Sequence, residues 1–116
     1  MILAKSMVLF TAAFLTFSAY ASGVSGKVTN VSVRNDGLIW FSVSPVSGAR
    51  TALPPCVAAY AQSLFTVPNE GTSTAKQQLA ILMSAKITGR AVAVTGSGAC
   101  TRWGDIEDAN EINFYD

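Results

Sequence analysis

Thr74-Ala75-Lys76-Gln77-Gln78-Leu79-Ala80-Ile81-Leu82-Met83-Ser84-Ala85-Lys86-Ile87-Thr88-Gly89 reads as the one helix of the mature chain, and its place among strands decides the fold. Thr74 and Gln77 have capping-box spacing, in which two side chains satisfy free amides at a helix start. Gly89 is a natural C-terminal cap, because it accepts a left-handed backbone. Ala75, Leu79, Leu82 and Met83 share one stripe, the expected core face. Ile81 lies about 200° from Leu79 at 100° per residue. With Ala85 it makes a second, small apolar patch, expected to be exposed.

Outward from the helix, Pro68-Asn69-Glu70-Gly71 breaks the chain on one side and Ala91 to Thr95 forms a strand on the other. Three strands precede the break. The first covers about Gly26 to Arg34, with Val31 and Val33 on one face and Val28 out of phase. A bulge near Thr29-Asn30 restores the alternation, and bulges bend strands where barrels close. Asn35-Asp36-Gly37 signals a hairpin, with Asp-Gly expected to supply the positive φ angles of a two-residue turn. The second strand, Leu38 to Ser44, places Ile39, Phe41 and Val43 on one face and Trp40 on the other. Pro45 to Pro55 is a loop. The third strand is expected over about Val57 to Val67, best from Tyr60 onward. The fifth covers about Ala109 to Tyr115, with Ile112 and Phe114 facing one way.

Three strands, a helix and two strands is the order of the OB-fold, a five-stranded Greek-key barrel. A five-stranded α+β sandwich reads the same way, since periodicity does not show closure. The expected core is Val31, Val33, Ile39, Phe41, Val43, Leu79, Leu82, Met83, Val92, Val94, Ile112 and Phe114.

The N-terminus carries Lys5, an apolar run from Met7 to Phe17, and Ala19-Tyr20-Ala21. That is the pattern of a secretory signal peptide over residues 1–21, with a small-x-small cleavage site. The run is shorter than the about 20 residues that span a bilayer. The mature domain is then 22–116, expected in the periplasm or outside the cell. The chain has eight basic and seven acidic residues, so removing Lys5 leaves seven of each. A neutral domain has little to offer a nucleic acid, whose affinity comes largely from Lys and Arg on phosphates. It has no polybasic membrane anchor either.

Cys56 and Cys100 are the only cysteines. Behind an export signal such a pair reads as a disulfide, with a closed loop of about 45 residues contributing roughly 4 kcal/mol at most. The chain has no His, which removes His-based nucleophilic machinery and leaves too few ligands for a structural zinc site. No catalytic residue, metal or cofactor is expected. Gly96-Ser97-Gly98 lacks the Lys and helix of a phosphate loop and reads as a turn. Asp105, Glu107 and Asp108, with Glu111 nearby, read as a solvated loop before the last strand. Paired carboxylates could instead serve a hard cation or glycoside hydrolysis.

Cys100-Thr101-Arg102-Trp103-Gly104-Asp105 is the candidate ligand site. An indole stacks on sugar C–H faces, while Arg102 and Asp105 meet hydroxyls or a sugar carboxylate. The bland alternative has Trp103 packed over the disulfide at one barrel end.

The element order, the export signal and the disulfide from the third-strand region to a point after the fourth strand resemble the binding subunits of pentameric AB-type bacterial toxins. Pro54-Pro55-Cys56 and the stretch from Gly96 to Glu107 also look like those of small exported bacterial proteins. The resemblance implies a ring-forming OB-fold domain that binds a host or cell-surface glycan. The competing expectation is a monomeric periplasmic structural or stress-related OB-fold protein without a small ligand; an enzyme is the third.

Overall fold

The computed structural model describes residues 22–115; the signal-peptide reading falls on residues 1–21, outside the described residues. The element order is β1 (Gly23–Val33), β2 (Ile39–Pro45), β3 (Leu64–Val67), α1 (Ser73–Thr88), β4 (Ala91–Gly96) and β5 (Glu107–Phe114). The strands close in the order β1-β2-β3-β5-β4, with β4 returning to β1. Every pairing is antiparallel except the short one between β3 and β5. The barrel is OB-fold-like, as the element order implied, and its closure rules out the open sandwich.

The first strand carries the expected bulge, a register shift between Val28 and Asn30. It lets Val28 face inward together with Val24, Phe41 and Val43 despite the broken alternation. The hairpin differs from expectation. Arg34 and Leu38 bond across it, and only Gly37 has a positive φ, 92°, so three residues turn rather than two. The third strand is also shorter than its Ala-rich sequence suggested. Ala59–Ala61 form a 3-10 turn, and the carbonyls of Ala61, Gln62 and Leu64 bond to the Arg50 guanidinium. Those groups have a side-chain partner there.

Thr72, not Thr74, caps α1: its side chain accepts the Ala75 amide. Gly89 closes the helix at φ 73°, as expected. The buried helical positions are Ala75, Leu82 and Ala85, with Leu79 and Ile81 packed against the core. Ala85 therefore does not belong to an exposed patch. Met83 is 50% exposed and Val33 60%, so both leave the expected core. Met83 follows Leu82 by one residue and is rotated about 100° from the buried stripe. Val33 is the last residue of β1, past the deepest part of the barrel.

The interior is otherwise the expected one, enlarged by Val24, Phe65, Val67 and Ala109. Phe41 and Phe65 stack at 5.6 Å between centroids. Leu82 is fully buried. Trp40 points away from this core and is half-buried.

Candidate functional site

The β4–β5 loop (residues 97–106) carries the candidate residues, and two consecutive residues of β5 hold it down. Strand alternation sends neighbours to opposite faces. Val31, Phe41, Phe65 and Glu107 are cross-strand partners in one row, facing the interior. Ser32, Trp40, Thr66 and Asp108 form the adjacent row, facing outward. Glu107 and Asp108 are nonetheless both buried, at 0% and 3% exposure.

Each carboxylate is satisfied by the loop. Glu107 accepts the Gly98 amide at 2.8 Å, the Ser22 hydroxyl and Arg50 at 2.6 Å. Gly96 makes this possible, because a Cβ there would collide with the Glu107 carboxylate. Arg50 lies 3.8 Å over the Phe65 ring, and burial pulls its guanidinium below the usual value, opposed by the bond to Glu107. Asp108 accepts Thr66 Oγ1 at 2.8 Å, the Thr101 amide at 3.1 Å, the Thr101 hydroxyl and the Arg102 amide at 3.3 Å. The solvated acidic loop expected from sequence is thus wrong for these two residues. They begin a strand, and they fix the loop from below. They also point apart, which prevents them from sharing one cation or one glycosidic bond. Among the described residues no three His, Cys, Asp or Glu groups gather closely enough to hold a metal ion.

A covalent anchor adds to these. Cys56 and Cys100 are bonded, with Cα atoms 6.1 Å apart, as the cysteine count implied. The chain around Cys56 also meets the far end of the loop, where the Ala58 amide donates to Asp105 O at 3.0 Å.

On this base the loop presents Arg102, Trp103 and Asp105 outward, each with a different neighbour. Arg102 reaches Glu70 at 2.7 Å and Asp36 at 3.8 Å, tying the loop to the segment before α1 and to the β1–β2 hairpin. Asp105 accepts the Tyr60 hydroxyl at 2.8 Å. That bond raises the Tyr60 phenol above its usual range. Half-buried Trp103 lies in the same loop between Arg102 and Asp105, and the Arg34 guanidinium sits 5.3 Å from its ring centroid. Asp36 grips Arg34 with both oxygens, at 2.6 and 3.2 Å, and this bond with the Leu38 amide lowers the Asp36 carboxyl to about 2.

The structure therefore places all three predicted residues on one partly exposed corner. It adds Tyr60, Arg34 and Asp36, which the sequence reading did not include. Tyr60 is 59% exposed and stands 45 residues from Asp105 in sequence, so spacing carried no signal of the pair. The hairpin signal around Asp36 was visible, but not that it would lean on the β4–β5 loop. No helix among the described residues is long and apolar enough to cross a membrane. Comparison with known proteins returns no match: no family model, no curated protein and no solved structure.

Proposed function

We propose that this chain is an exported, non-enzymatic binding module whose ligand surface is the Trp103 corner, and that the ligand is a cell-surface glycan. The observation that carries the reading is the placing of exposed Tyr60 and half-buried Trp103 beside the Asp105 carboxylate on a loop anchored by buried groups. Aromatic faces pack on sugar C–H surfaces, and a carboxylate accepts sugar hydroxyls. A loop held rigid beforehand loses little entropy on binding. In barrels of this type the loops between strands 1 and 2 and between strands 4 and 5 form the usual ligand surface. Those are the loops that meet at Asp36 and Arg102.

Export is supported by the disulfide and the N-terminal leader pattern. Assembly into a toxin-subunit-like oligomer belongs to the same proposal. Its surface is a cleft of about 320 Å³ between α1 and β1, lined by Val31, Val33, Leu79, Met83, Lys86 and Ile87, with Ile87 81% exposed. A glycan array with the oxidised mature protein tests the ligand, and sizing in solution tests the oligomer. Specific glycan binding lost in Trp103→Ala supports the reading; an array blank for wild type overturns it.

One observation favours the monomeric structural reading. Arg102 and Asp105 each already have a partner within the chain. If those bonds are their whole purpose, Trp103→Ala lowers stability and no glycan binds.

A further inference from the structure

The charges at the Trp103 corner do not balance. Arg34 is paired with Asp36, and Arg102 with Glu70. Asp105 has only the neutral Tyr60 hydroxyl, and among the described residues no cation lies within ion-pair distance of it. The corner is thus two aromatic rings and one surplus negative charge. Aromatic faces carry negative quadrupolar potential, so rings and carboxylate attract the same kind of group. The Trp103 ring already has a cation beside it: the Arg34 guanidinium, 5.3 Å from its centroid.

Resting on the glycan reading of this site, we propose that the group recognised at Trp103, Tyr60 and Asp105 is an organic ammonium, as carried by an amino sugar whose nitrogen is not acetylated. An ammonium seated there has Asp105 as counter-ion and Trp103 as aromatic wall. An acidic sugar would face Asp105, whereas the nearest guanidinium groups are neutralised by Asp36 and Glu70. A neutral N-acetyl sugar would leave Asp105 without its cation. Arg34 is the internal competitor: its guanidinium occupies the ring, and a ligand cation has to share or take that place.

The test is an NMR titration of the oxidised mature protein, following the Trp103 indole N–H in a Trp40→Phe background. The probes are D-glucosamine, N-acetyl-D-glucosamine, D-glucose and choline, at about pH 6 where a primary amine is charged. The expected result is glucosamine binding roughly tenfold tighter than glucose or the N-acetyl sugar, with the difference shrinking in added salt. Asp105→Asn keeps an acceptor for Tyr60 and should erase that preference. Arg34→Gln should strengthen glucosamine binding by clearing the ring. Equal affinity for all three sugars overturns the ammonium proposal and leaves the glycan reading standing. Choline binding without any sugar binding keeps the cation site and removes the glycan reading. No shift with any probe overturns both.

Discussion

The acids beneath the β4–β5 loop and the acids exposed around Trp103 have little in common. Glu107 and Asp108 are buried and surrounded by donors from the loop itself, from Ser22, from Thr66 and from Arg50. Asp36 and Asp105 are exposed; Asp36 pairs with Arg34 and more loosely with Arg102, and Asp105 accepts the Tyr60 hydroxyl. Water screens the upper set, so those pairs contribute little to stability. The lower set has exchanged water for fixed donors, and removing one partner strands the others. The difference separates scaffold from surface: buried charge fixes where Trp103 stands, while exposed charge faces solvent at the corner proposed above for a ligand.

The largest effect should come from breaking the lower set. Glu107→Ala leaves Arg50 buried without its counter-ion and is expected to cost about 3–5 kcal/mol in urea unfolding. A loss below roughly 1 kcal/mol would mean the three carbonyls around Arg50 suffice to hold its charge. The Cys56→Ser/Cys100→Ser double variant should lose up to roughly 4 kcal/mol, the limit set by loop closure. It should still fold, because the carboxylate anchors remain. Asp108→Asn keeps shape but replaces one acceptor oxygen with an NH2 donor, which faces either the Thr101 amide or the Arg102 amide, for an expected loss of about 1–3 kcal/mol.

The upper set should answer to pH instead. Asp36 is held down by Arg34, so its contribution is complete above the usual carboxylate range near about 3.9. It should be lost as pH falls through about 2. An NMR titration of the Asp36 carboxyl checks the midpoint, and Arg34→Gln should move it upward. Tyr60 has the opposite sign: its raised phenol gives a contribution present below about 10 and lost as pH climbs through the folded value.

Trp103 and its flanking charges are legible in the sequence, while what lies under them is not, for a physical reason. Trp103 between charges, tied to Cys100, is a local pattern, as are the Val28–Asn30 bulge and the Gly89 cap. Glu107 and Asp108 carry a local pattern too, and it points the wrong way. Two acids in a row suggest solvent unless their partners are known, and those partners come from Ser22, Arg50, Thr66, Gly98 and Thr101. The same blindness shortened β5 by two residues, because strand propensity disfavours Glu and Asp where tertiary contacts install them. Met83 and Ala85 were exchanged between core and surface for a related reason. Hydrophobicity marks Met83 as the better core residue, but close helix approach favours the small side chain of Ala85.

The loop owes its shape to the carboxylates below it rather than to Trp103. Native-state amide hydrogen exchange on the Trp103→Ala variant tests it without any ligand. The amides of Gly98, Thr101 and Arg102, which donate to Glu107 and Asp108, should stay protected as in the wild type. If those three amides instead exchange as freely as exposed loop amides once the indole is gone, Trp103 is the plug that holds the loop, and the account is contradicted.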